Sequence, residues 1–85
     1  MTQDKARELM RGALRQVAPD ADFDTLLAST SLRDDLELDS LDFENLVTQL
    51  SERSGHRIDE DDYPKLTTIG GCVDYLADLD EAAIR

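Results

Sequence analysis

Eighty-five residues make one small domain, spanning 1–85, with little room to enclose an active site and the side chains that would support it. Twenty acids against nine bases give a formal charge of −11, which argues against binding to nucleic acid or to an anionic membrane surface and in favour of protein partners with basic patches. Cys72 is the single cysteine, so no internal disulfide forms, and no apolar run is long enough to span a membrane.

Residues 3–18 predict an amphipathic helix. Ala6, Leu9, Met10, Ala13, Leu14 and Val17 recur as one apolar stripe, Thr2 is the expected N-cap, and Asp4 suits the first turn. Pro19 disfavours helix in the residue before it, so the helix is expected to stop near Ala18. Lys5, Arg7, Arg11 and Arg15 make this the basic part of an otherwise acidic chain. The polar start Met1-Thr2-Gln3-Asp4-Lys5 lacks the apolar core of a secretion signal, so a reducing cytoplasm is the expected compartment.

Residues 19–39 form a connection unusually long for so small a domain, which implies a functional or self-packed loop. A short helical turn is expected at Leu26-Leu27. Phe23, Leu27, Leu32 and Leu36 are the residues expected to pin the loop to the core.

The second helix is expected over 40–54. Asp39 is its N-cap, Asp42 lies in the first turn, and Gly55 fits the position just past the end. Phe43, Leu46, Val47 and Leu50 face inward, while Leu41, Asp42, Glu44 and Asn45 face outward. Residues 56–66 read as irregular, anchored by Ile58, with a helical turn through the acidic run 59–62 to Tyr63. Pro64 is expected only in a first turn or a bend. The last helix is expected over 68–79, capped by Thr67 or Thr68, with Ile69, Cys72, Val73, Leu76 and Leu79 inward. Gly70 and Gly71 weaken that helix but allow a second backbone to approach closely. No internal repeat and no strand pattern appears. The fold class that follows is all-α: a small four-helix bundle of three main helices plus a short third helical segment, with a long first loop.

Enzyme chemistry finds little support. His56 is the single histidine, and pairing it with Ser40 would require the two ends of one helix, roughly 20 Å apart, to meet. Cys72 reads as a small core residue. Asp35, Glu37 and Asp39 alternate as in a calcium loop, but Ser40 stands where the turn glycine is needed and Leu46 where the closing glutamate is needed, so no metal site is expected. What remains is the stretch from Asp34 to Glu44, which holds six carboxylates and one hydroxyl, Ser40, at a loop-to-helix junction. Near a helix N-terminus that hydroxyl is either a cap or a point of attachment.

The segment Ser31-Leu32-Arg33-Asp34-Asp35-Leu36-Glu37-Leu38-Asp39-Ser40-Leu41-Asp42 resembles the signature of acyl carrier proteins, in which an Asp-Ser-Leu triplet opens the second helix. The order of elements is similar over nearly the whole chain, down to Leu66-Thr67-Thr68-Ile69-Gly70 at the start of the last helix. The resemblance implies that Ser40 carries 4′-phosphopantetheine, derived from coenzyme A, and that Asp39 belongs to the motif read by a phosphopantetheinyl transferase. It implies a non-catalytic carrier of acyl thioesters serving partner enzymes of fatty acid, polyketide or a related specialised pathway. A monomer is expected. Leu41, Asp42, Glu44, Asn45, Asp35 and Glu37 would form the partner face, and Phe43, Leu46, Val47, Ile69, Val73 and Leu76 would line a cleft for the acyl chain. Glu37 stands where the family often has glycine, Glu44 where an apolar partner contact is common, and Asn45 where an acid is common. Pro64 is also unusual in the third segment. These departures point to a specialised carrier rather than a housekeeping one. The alternatives are an aminoacyl or peptidyl carrier, from which Leu38-Asp39-Ser40 leans away, and an acidic carrier-like module that is never modified.

Overall fold

Three helices of fifteen residues each account for most of the chain in the computed structural model: α1 (Gln3–Val17), α2 (Ser40–Ser54) and α3 (Ile69–Ala83). The structure describes residues 2–83, with side chains as far as Leu79, so Met1, Ile84 and Arg85 of the expected domain lie outside the described residues. A one-turn 3₁₀ helix (Phe23–Thr25) interrupts the first loop, and a longer 3₁₀ segment (Glu60–Leu66) links α2 to α3. The architecture is the expected four-helix arrangement, and α1 packs against both α2 and α3.

Each helix boundary follows from local chemistry. Thr2 caps α1 by accepting a hydrogen bond from the Lys5 N–H at 3.1 Å, and the helix closes where the Ala18 N–H reaches the Leu14 carbonyl just before Pro19. The buried face of α1 is Ala6, Met10, Ala13 and Leu14, in which two alanines let the neighbouring helices approach closely. At the end of α2, Gly55 adopts φ +75° and its N–H returns to the Ser51 carbonyl, a conformation that costs glycine nothing. Leu46, Leu50 and Leu76 are completely buried where the helices meet.

The first loop differs from expectation in its local turn. The helical turn is at Phe23–Thr25, not at Leu26-Leu27, because the Asp22 carboxylate caps it by accepting from the Asp24 N–H. Phe23 is buried beneath two guanidinium groups, with Arg7 at 5.1 Å and Arg11 at 5.4 Å from its ring centroid, and Arg11 also pairs with Asp24 at 2.8 Å. Leu27 does not pin the loop: it is 70% exposed. Its N–H is taken by Thr30 Oγ1 at 2.9 Å in a turn on the surface, and the anchoring role passes to Leu38, which is buried along with Leu32. Leu36 is half-buried.

A backbone clip then fastens this loop to the start of α3. The Leu32 N–H donates to the Thr67 carbonyl, the Ile69 N–H to the Thr30 carbonyl, and the Gly70 N–H to the Ala28 carbonyl at 2.8 Å. These bonds form an isolated antiparallel bridge, Ser31 to Thr68, too short to leave an alternating pattern in the sequence. A Cβ on Gly70 would sit 2.9 Å from the Ala28 carbonyl oxygen, so the expected close approach of a second backbone is present. Pro64 lies inside the 3₁₀ segment rather than in its first turn. The carbonyl left without its N–H partner belongs to Asp61, which is exposed to solvent, so the loss is tolerated. Thr68 caps α3 through the Gly71 N–H at 3.0 Å, and α3 runs on to Ala83, past the expected end at 79.

Candidate functional site

Ser40 is the first residue of α2 and its side chain is exposed. The cap role belongs to Asp39, whose Oδ1 accepts from the Asp42 N–H at 2.8 Å. The Ser40 hydroxyl therefore engages no hydrogen bond among the described residues. The Asp42 N–H is taken by the Asp39 carboxylate and the Phe43 N–H by the Asp39 carbonyl, so it is the positive end of the helix dipole that favours a negatively charged substituent at this hydroxyl.

The loop before Ser40 is closed by its own acids. Ser31 donates its N–H to Asp35 Oδ2 at 2.7 Å and accepts from the Asp34 N–H at 3.0 Å, while its carbonyl receives the N–H groups of Asp35 and Leu36. Asp35 thus has a structural partner, although it remains exposed. Glu37 follows at φ +56°, the left-handed region, and Leu38 then turns inward to be buried with its N–H on the Leu32 carbonyl. Ser40 is therefore held by a buried leucine two residues before it and by the rigid first turn of α2 after it.

Around the hydroxyl, Leu41 is 66% exposed, and Glu37, Glu44 and Asn45 are exposed, while Asp42 is half-buried. An apolar side chain ringed by carboxylates is thus presented beside Ser40. The residues singled out as a cleft are together but closed: Leu46 and Leu76 have no exposure, and Val47, Ile69 and Val73 are buried in the same core. Phe43 is half-buried and meets Tyr63, a residue with no assigned site role in the sequence, edge to face with centroids 5.2 Å apart at 81°. Two surface depressions, of 270 and 460 Å³, lie elsewhere, one beside Phe23 and the other beside Tyr75, and neither touches Ser40 or the cleft residues.

Other reactive groups are occupied structurally. The Cys72 thiol donates to the Leu66 carbonyl at 3.6 Å, and burial pushes its pKa up to about 12, so it is no thiolate at neutral pH. Tyr75 donates its hydroxyl to Asp62 Oδ2 at 2.9 Å; that bond, with help from Lys65 3.3 Å away, holds the Asp62 carboxyl below the usual carboxylate range. Burial first, and Asp62 second, raises the Tyr75 phenol to about 12. Ser40 opens α2 and His56 lies just past its other end, so the helix holds them too far apart to pair. Among the described residues no group of three or more potential metal-ligating side chains occurs, and no helix is long and apolar enough to cross a membrane.

The site is thus an exposed serine opening the second helix of an acidic, all-helical bundle. Residues 4–76 match the family described as phosphopantetheine attachment site. The chain is 38% identical over 55 residues to the acyl carrier protein of Lactobacillus johnsonii, a match covering 65% of this chain and 69% of that protein. It is 42% identical over 48 residues to the acyl carrier protein of Rubrobacter xylanophilus, covering 56% of this chain and 59% of that one. The structure superposes on the acyl carrier protein from Enterococcus faecalis with a TM-score of 0.72 at 26% identity, covering 92% of this chain and 98% of that chain. The chain belongs to the acyl carrier protein family, whose members bear covalently attached 4′-phosphopantetheine. Carriers of this family are not catalysts, and their role implies contact with transferase and synthase enzymes.

Proposed function

We propose that Ser40 is the attachment site, that Asp39 contributes to its recognition by a phosphopantetheinyl transferase, and that the chain carries acyl groups without catalysing their transformation. The observation that carries this reading is the hydroxyl left unengaged at the first position of α2 while Asp39 performs the capping. The phosphodiester of the arm would lie against the positive end of the α2 dipole. When attached, the arm supplies a terminal thiol that holds acyl groups as thioesters. This chain's residues supply a fixed anchor, a high local concentration of cargo and a docking face.

That face consists of Leu41, Asp42, Glu44, Asn45, Asp35 and Glu37. A single exposed leucine among carboxylates suits a partner with a small apolar pocket rimmed by Arg and Lys, and such association weakens as salt rises. Leu46, Val47, Ile69, Val73 and Leu76, with Phe43 at their edge, would shelter an acyl chain once the core opens. Each buried methylene is worth ~0.8 kcal/mol toward that opening. A monomeric, cytoplasmic carrier of a specialised acyl or polyketide pathway fits the departures at Glu37, Glu44 and Asn45.

Incubation with coenzyme A and a broad-specificity phosphopantetheinyl transferase, followed by intact mass measurement, tests the reading. One phosphopantetheine is expected on the wild type and none on Ser40→Ala. No addition to the wild type, under conditions that modify a control carrier, would sink it.

A further inference from the structure

We propose that the Phe43–Tyr63 pair is the gate that sets which acyl chains leave the surface and enter the core. The proposal rests on Ser40 being the attachment site. Phe43 is three residues beyond Ser40 on α2, which places the two on one face of the helix a single turn apart. Its ring is only half-buried, yet it packs on the core cluster that includes Leu46, Val47 and Ile69. The ring thus stands between the attachment point and the interior. Tyr63 closes the other side at 5.2 Å, with its ring nearly perpendicular to that of Phe43.

Tyr63 is not a loose flap. It sits in the 3₁₀ segment Glu60–Leu66, whose end is anchored by the fully buried Leu66. The next residue back, Asp62, is tied to α3 by the Tyr75 hydroxyl, and Pro64 fixes the backbone immediately after Tyr63. One wall of the gate is therefore pinned to α3 and the other to α2. An acyl chain on the arm's terminal thiol would reach Leu46 and Leu76, which have no exposure of their own, by parting the two rings.

Parting them forfeits an edge-to-face contact comparable to one or two buried methylenes. Short acyl groups do not recover that loss and stay outside, available to solvent and to partner enzymes. Chains beyond a threshold length recover it and are shielded. Removing the tyrosine ring is expected to shorten the threshold by about one to two methylenes, because that is the ratio of the two contributions.

The test loads the protein with acyl pantetheine arms from butanoyl to decanoyl in one-carbon steps, from the corresponding acyl-coenzyme A, verified by intact mass. It then measures the rate at which hydroxylamine cleaves each thioester, with the methyl spectra of Leu46, Val47 and Leu76 as a second readout. In the wild type, protection and methyl shifts are expected to begin at one chain length. In Tyr63→Leu and Phe43→Leu they begin at a shorter one, while Tyr63→Phe, which keeps the ring, matches the wild type. A threshold unchanged in both leucine variants overturns the gate, as does a Tyr63→Phe threshold that moves with Tyr63→Leu. Absence of any acyl-pantetheine mass defeats the attachment reading and the gate with it, which distinguishes that failure from failure of the gate alone.

Discussion

Asp39 and Asp42 are joined by a 2.8 Å hydrogen bond from the Asp42 N–H to the Asp39 carboxylate, and this bond leaves the serine between them unengaged. A residue at this junction could serve either as cap or as handle, and the two roles are divided between neighbours. Replacing Asp39 by alanine is expected to cost ~1 kcal/mol, lowering Tm by about 4–8 °C for a domain of this size. Asp39→Asn preserves the cap and is expected to keep Tm near that of the wild type. If Asp39→Asn nonetheless slows phosphopantetheinylation severalfold, the carboxylate acts in recognition. If it modifies as fast as the wild type, recognition does not read that charge.

Glu37 holds φ +56°, a conformation that disfavours residues with a Cβ. The family often has glycine here, and the structure keeps the glycine-like backbone while changing the side chain. The reason is visible on both sides: Ser31 closes the turn over Asp34 and Asp35, and Leu38 is buried, so the intervening residue has no other path. Glu37→Gly is expected to raise stability by about 0.5–1 kcal/mol, the relief of strain exceeding the added entropy of the unfolded chain. Urea titration reads this directly. A Glu37→Gly variant less stable than Glu37→Ala would contradict the account.

The elements that could be read in the sequence are those fixed by neighbouring residues. Thr2 with Lys5, Asp39 with Asp42, and Gly55 at the end of α2 are all local relationships, and all three ends lie where they were expected. The loop was less legible, because its geometry depends on partners distant in the chain. Leu27 and Leu32 are equally apolar, but the Leu32 N–H meets the Thr67 carbonyl, while the Leu27 N–H is spent on Thr30 within its own turn. Only the first of these leads into the core. Tyr63 likewise carries no signal in its acidic surroundings; its role depends on Phe43 twenty residues earlier. The loop-to-helix junction at Ser40 was legible because a hydroxyl, a cap and an apolar period coincide within a few residues.

The Asp62–Tyr75 bond predicts a stability change at each end of the pH scale. The Asp62 pKa is lowered in the folded state from the usual 3.8, so its contribution is present above that value and lost as the pH falls through the folded pKa. The Tyr75 pKa is raised from 10.0 to about 12, so its contribution is present below 10 and lost as the pH rises toward 12. Tyr75→Phe removes both. In that variant the Asp62 carboxyl is expected to titrate nearer the ordinary range by carbon-13 NMR, and the alkaline fall in stability between those two pH values is expected to shrink. Carboxyl and alkaline titrations identical to the wild type would show that the bond does not persist in solution.

Gly71 offers a test in which packing and propensity oppose each other. Within a helix, glycine to alanine ordinarily stabilises by about 1 kcal/mol, since alanine loses less backbone freedom and shields the backbone. In α3, however, a Cβ on Gly71 would collide with the Lys65 backbone carbonyl and press on Thr68 Oγ1 at 3.1 Å. Lys65 cannot move aside cheaply: it lies between Pro64 and the fully buried Leu66, in the segment that also holds Tyr63. Thr68 cannot either, since its hydroxyl caps α3 through the Gly71 N–H itself. Overpacking against backbone costs ~1–3 kcal/mol, more than the propensity gain, so Gly71→Ala is expected to be net destabilising. At Gly12 the group in the way is the Arg53 side chain, with its terminal guanidinium nitrogen at 2.7 Å, which can swing into solvent. Gly12→Ala is therefore expected to be neutral or stabilising. Thermal melts of the two variants side by side decide the point: a Gly71→Ala that melts above the wild type would mean that the 3₁₀ segment is not seated against α3 as described.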